Sequence, residues 1–203
     1  MFENFFRARN RRQLKDASFD FLFDEAPLDE VVVFDTETSG LNPKKDEILS
    51  IGAVKIKGDK ILTSEKFELF VRPSREVSEE SIKIHQIRNI DVENALEPEE
   101  AMKRFLHFIG SRTLVGYYLE FDVKMINKYI KPLLGISLPN SQIEVSGLYH
   151  DKKIKLIPDG VIDLRFDVMM NDLNIPIFGK HDALNDAVMT AMMYVKLRNI
   201  ERL

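Results

Sequence analysis

Val31-Val32-Val33-Phe34-Asp35-Thr36-Glu37-Thr38-Ser39-Gly40-Leu41 reads as a buried strand that ends in two carboxylates. Four apolar residues in succession, three of them β-branched, suit a strand covered on both faces. Side chains alternate sides at a rise of about 3.3 Å, so Asp35 and Glu37 stand roughly 6.6 Å apart on one side, within reach of a shared hard cation. Taken alone, the pair fits equally well as a helix cap or an exposed strand end. Two further stretches shift the balance toward chemistry: Phe121-Asp122 and His181-Asp182-Ala183-Leu184-Asn185-Asp186-Ala187, which add two acids and a histidine in settings that would turn them inward.

Outward from that strand, the chain of 203 residues is 44% hydrophobic, enough for one full core, so we expect an arm over residues 1–29 and one domain over 30–203. The arm is basic and aromatic (Phe2, Phe5, Phe6, Arg7, Arg9, Arg11, Arg12, then Phe19, Phe21 and Phe23), reads as an amphipathic helix and is expected to end at Pro27. Its arginines could meet phosphates, but docking of its phenylalanines is the stronger expectation. With zero cysteines the chain has no disulfide, thiolate metal site or cysteine nucleophile, which fits a reducing cytoplasm. Apolar runs fall short of the ~20 residues of a membrane span. A net charge of −4 does not mark a protein that coats duplex nucleic acid. A site holding divalent cations brings its own positive charge to a phosphate, so a nucleic-acid enzyme is not excluded.

Past the first strand, residues 47–57 and 60–72 read as two more strands joined at Gly58-Asp59, which makes the first three antiparallel. Helices are expected near 78–84, 98–110 (opened by Pro98, closed by Gly110), 120–131, 163–174 and 182–199, with strands near 112–116 and 142–146. Strand, helix, strand after residue 98 is the alternation of a parallel crossover. The basic stretch of Lys152, Lys153 and Lys155 carries no clear element signal. Small residues at Ala183, Ala187, Thr190 and Ala191 permit the last helix to approach a sheet closely, and His181, five residues before Asp186, suits a loop-mounted base better than a ligand on the same helix face.

The set Asp35-Thr36-Glu37-Thr38, Phe121-Asp122 and His181 followed by Asp186 resembles the three motifs of the DEDDh (DnaQ-like) 3′-to-5′ exonucleases, a family that includes the proofreading epsilon subunit of bacterial DNA polymerase III. The resemblance covers residues 30–198. It implies an α/β, RNase H-like fold, with a mixed five-stranded sheet flanked by helices. It further implies that Asp35, Glu37, Asp122 and Asp186 hold two Mg²⁺ or Mn²⁺ ions and that His181 acts as general base. The expected reaction is removal of nucleoside 5′-monophosphates from single-stranded or frayed 3′ ends of DNA, in proofreading or repair, with a polymerase or other replication or repair protein as partner. Candidate substrate-binding residues are Thr36, Thr38, Ser39, Gly40, Leu41, His85, Tyr117, Tyr118 and Phe121. Two departures stand out: Gln86 follows His85 where relatives carry glycine, and Tyr117-Tyr118 replaces a common His-Asn pair. The alternatives are an exoribonuclease with the same site and a non-catalytic nucleic-acid or partner-binding module.

Overall fold

The computed structural model describes residues 2–155, 160–179 and 181–200, with side chains from residue 7 onward. The arm comprises helix α1 (Phe2–Gln13) and a 3₁₀ helix, Ala17–Phe23, capped by the Asp16 carboxylate on the Ser18 N–H. Then come β1 (Glu30–Thr38), β2 (Ile48–Lys57) and β3 (Lys60–Phe70). Two short helices, α2 (Glu79–His85) and α3 (Asn89–Val92), lead to α4 (Pro98–Ile109), β4 (Thr113–Gly116) and α5 (Leu119–Leu134). Strand β5 (Gln142–Glu144), α6 (Val145–Lys153), α7 (Phe166–Asp172) and α8 (Ala183–Asn199) complete the fold.

The sheet order is β3-β2-β1-β4-β5, with β1 antiparallel to β2 and parallel to β4. The antiparallel start and the parallel crossover are as the sequence implies. The alternation of β1 assigns its faces. Val32 and Phe34 join the core under α4 and α5, whereas Val31 and Val33 join the core under α8. Continued along the strand, this parity sends Asp35 and Glu37 toward α8 and Thr36 toward α5. Pairing of β1 with β4 stops at Val33, so the end of β1 runs free of its parallel neighbour. Open α/β sheets place their ligands at such carboxyl ends.

The 3₁₀ helix is part of the core: Phe19, Leu22 and Phe23 are buried with Phe105 and Ile109 of α4, and Phe21 stacks on His107 at 4.9 Å. Arg7 ties α1 down by donating to the carbonyls of Pro139 and Asp24. Phe2, Phe5 and Phe6 lie outside the described side chains. The arm is not one helix running to Pro27 but two, broken at residues 14–16, where Asp16 caps the second. Three further boundaries differ from the sequence expectation. Strand β5 stops at Glu144, whose carboxylate accepts the Ser146 N–H and starts α6 at once, so Lys152 and Lys153 of the basic stretch lie in the last turn of a helix and Lys155 just after it. Helix α7 starts at Phe166, because Asp163 binds the Arg165 backbone N–H and guanidinium and holds the preceding residues extended. Helix α5 continues past residue 131 to a left-handed Gly135 cap. No described helix is long and apolar enough to cross a membrane.

Candidate active site

Parity brings the acids together. Ligand oxygens of Asp35, Glu37 and Asp186 lie within 4.8 Å of one another, two from the end of β1 and one from the first turn of α8. Asp122 stands on the other side of β1, outside that set of three. It is 4% exposed, and its Oδ1 accepts the Thr36 N–H at 3.1 Å and the Thr36 hydroxyl at 2.5 Å. Thr36 thus pins the α5 acid to the backbone between Asp35 and Glu37.

This charge is poorly compensated. Burial, then repulsion from Asp122, Glu37, Asp186 and Asp182, holds the Asp35 carboxyl well above the ordinary range. Glu37 is pushed up to about 8 by burial and by Asp186, Asp182 and Asp122. Asp122 is raised by burial to about 7 despite the Thr36 hydrogen bonds that favour its charged form. Among the described residues, no lysine or arginine forms an ion pair with any of the three. Oxygen donors from three buried or half-buried carboxylates, gathered within 4.8 Å of one another, fit a hard divalent cation.

His181 lies in the loop before α8, exposed and left-handed at φ 60°, and its backbone N–H donates to Asp186 Oδ2 at 3.1 Å. That bond fixes the loop against a carboxylate of the cluster. A small pocket of about 170 Å³ is lined by Asp35, Asp186, His181, Tyr117, Phe166 and Asp167. A larger cleft of about 380 Å³ meets it at His181 and extends past His85, Ile87 and Phe70. Both cavities are therefore bordered by the histidine beside the acids.

The remaining candidates divide. Thr38 Oγ1 donates to the Gly40 carbonyl at 2.7 Å, and Ser39 exchanges backbone and hydroxyl bonds with Glu47, which shapes the turn after β1 and leaves Leu41 85% exposed. His85 is 5% exposed. Its Nδ1 accepts the Ile87 N–H, which puts the ring proton on Nε2, and Nε2 has no partner among the described residues. Gln86 occupies a left-handed helix cap at φ 60°, a conformation glycine adopts without strain. Tyr117 is a packed residue that lines the small pocket: its hydroxyl donates to the Leu164 carbonyl and its ring meets Phe166 edge-on at 5.1 Å. Tyr118 is exposed, with Phe121 stacked beneath it.

Several residues of the site escape the sequence patterns. Asp182 caps α8 by accepting the Asn185 N–H at 2.9 Å and adds to the repulsion on Asp35 and Glu37. Its place beside His181 was visible in the sequence, but nothing in the pattern marked its charge as part of the site. Asp167 and Phe166 reach the small pocket from α7 with no local signature. Gly52 is opposite Asp35 in the β1–β2 ladder, and a Cβ there would lie 2.1 Å from the Leu184 backbone nitrogen. The missing side chain lets the start of α8 touch β2, and that contact brings Asp186 to Asp35. Gly52→Ala is expected to cost about 2–3 kcal/mol of stability, because backbone rather than a flexible side chain must move. A matching loss of metal-induced stabilisation should accompany it, read by thermal melting with and without Mn²⁺. A variant that melts and responds to metal like the parent would show that α8 does not approach this closely.

Comparison with known proteins agrees with this fold. A family described as exonuclease, RNase_T, matches residues 32–194. The epsilon subunit of DNA polymerase III from Aquifex aeolicus is 31% identical over 166 residues, covering 82% of this chain and 79% of that protein. The PolC-type DNA polymerase III of Thermotoga maritima is 31% identical over 186 residues, yet the chain spans 13% of its length. Exonuclease X in complex with 5′-overhanging duplex DNA superposes with a TM-score of 0.65 at 23% identity, over 83% of this chain and 91% of that one, a likeness of fold.

Proposed function

Because this chain belongs to the DnaQ-like exonuclease family, we propose that it removes nucleoside 5′-monophosphates from the 3′ ends of single-stranded or frayed DNA. The convergence of Asp35, Glu37 and Asp186 beside an exposed His181 carries this reading. In it, Asp35, Glu37, Asp122 and Asp186 hold two divalent cations, Mg²⁺ or Mn²⁺. Such ions polarise the scissile phosphate and lower the pKa of the attacking water.

The protein's own groups do the rest. His181, whose backbone N–H is held by Asp186, takes the proton of the attacking water on its imidazole. Thr36 keeps the α5 carboxylate turned to β1 through two hydrogen bonds. The turn from Thr38 to Leu41 borders the terminal nucleotide, with Leu41 wedged against the last base. His85, buried at the wall of the larger cleft, shapes the surface beside the terminal nucleotide. DNA is favoured as substrate, and a replicative polymerase as partner, because the matched relatives are polymerase III proteins.

Incubation of 5′-labelled single-stranded DNA and RNA of one sequence with Mg²⁺ or Mn²⁺ tests the proposal. A descending ladder on DNA that EDTA abolishes is the expected result. A faster ladder on RNA would reassign the substrate, and failure of the folded, metal-supplied protein to shorten either polymer would refute exonuclease action.

A further inference from the structure

Tyr118 carries an unusual combination of strain and exposure. It is the residue before α5, its backbone is left-handed at φ 57°, and its side chain is 70% exposed. A bulky residue is rarely found there, because its Cβ crowds the carbonyl that follows. The conformation is imposed from outside. Glu144 at the end of β5 accepts the Tyr118 N–H on Oε1 at 3.1 Å and the Leu119 N–H on Oε2 at 2.8 Å, while Ser146 supplies two further bonds to the same carboxylate. The clamp does nothing to bury the ring. Tyr117, next to it, shows what a packing tyrosine looks like here, with its hydroxyl bonded and its ring against Phe166. Tyr118 instead lies over Phe121 with centroids 6.4 Å apart and planes 21° from parallel.

The position gives the pair a purpose. Tyr118 precedes Asp122 by four residues, about one helical turn, and Phe121 is the residue next to Asp122. We propose that Tyr118 and Phe121 form a shelf on which a nucleobase one or two nucleotides upstream of the scissile phosphate stacks. The proposal deepens the exonuclease reading and rests on it. A flat aromatic surface accepts any base, but only one freed from its complementary strand, so the shelf selects single-stranded and frayed 3′ ends. Strain held by the surrounding structure one helical turn from an acid of the site is the pattern expected of a substrate-binding group.

The test is steady-state cleavage of a 5′-labelled DNA strand by the parent, Tyr118→Asn and Tyr118→Phe. The strand is used intact and with one abasic residue at the second or third position from the 3′ end. Asparagine enters the left-handed region readily, so Tyr118→Asn does not endanger folding. On the intact strand it is expected to raise KM about tenfold, the scale of one lost base–aromatic stack, with kcat changed less than about twofold. Tyr118→Phe should keep the parent KM. On the strand abasic at the stacked position, the parent should show the raised KM and Tyr118→Asn should add nothing. An unchanged KM on the intact strand, or a loss that persists on both abasic strands, would overturn the shelf. Cleavage of the p-nitrophenyl ester of thymidine 5′-monophosphate by the parent reads the chemistry without any upstream base. If ester and strand are both left intact, the exonuclease reading fails and takes the shelf with it. If the ester is cleaved and the KM pattern is absent, the shelf alone fails.

Discussion

Asp35→Asn is expected to lower 3′-terminal hydrolysis by at least about 10³-fold while leaving the fold intact. The size follows from position. Asp35 shares the ligand cluster with Glu37 and Asp186, and its carboxyl is raised first by burial and next by Asp122. Removing its charge takes away a donor at the centre of the set, where charge developing on the phosphate must be stabilised. The isosteric amide keeps the packing, and it removes a carboxyl whose charged form burial and the neighbouring acids disfavour in the metal-free protein. In EDTA near pH 8, Asp35→Asn should therefore melt at or above the temperature of the parent. Glu99→Gln, which breaks an exposed ion pair with Lys103, should leave activity unchanged. Activity of Asp35→Asn above about a tenth of the parent's, on protein shown to be folded, would remove Asp35 from the catalytic set.

What the sequence made legible here was local and periodic. The run from Val31 to Leu41 announced a strand, and its alternation alone put Asp35 and Glu37 on one side. The structure adds that this side faces α8, which no local pattern could say, because it depends on which neighbours cover each face. Asp186 joins the two acids across about 150 intervening residues, and only the family resemblance linked them beforehand. The enabling residue, Gly52, read as an ordinary strand glycine, since its meaning lies in a backbone approach from α8. Glu144 escaped for a similar reason: three residues of strand hold a carboxylate that fixes the start of α5 and of α6 together. Helix α6 was hidden because its cap lies inside the strand that precedes it, and lysines in its last turn gave no apolar stripe to read.

The crowding of acids makes a second large effect measurable without any substrate. Glu37 rises from 4.5 to about 8 on folding, through burial first and then Asp186, and Asp122 rises from 3.8 to about 7, through burial. Between the unfolded and folded values the native state holds the proton more tightly, so unfolding releases it and stability falls as pH rises. For Glu37 that window runs from about pH 4.5 to 8 and corresponds to a loss of about 4 kcal/mol. Asp35 and Asp122 act in the same direction, and their mutual repulsion makes the three contributions less than additive. At this chain length, about 4 kcal/mol is roughly 10 °C of melting temperature. The metal-free protein should thus melt about 10 °C lower at pH 8 than at pH 5. Added Mn²⁺ or Mg²⁺ should raise melting more at pH 8 than at pH 5, because at the lower pH the ion must displace protons. Glu37→Gln isolates the cause: its metal-free melting should vary less with pH and lie above the parent's at pH 8. Parallel pH profiles for parent and Glu37→Gln would show that Glu37 is not the group whose protonation is linked to folding. A melting temperature indifferent to divalent cations at pH 8 would remove the metal from the cluster itself.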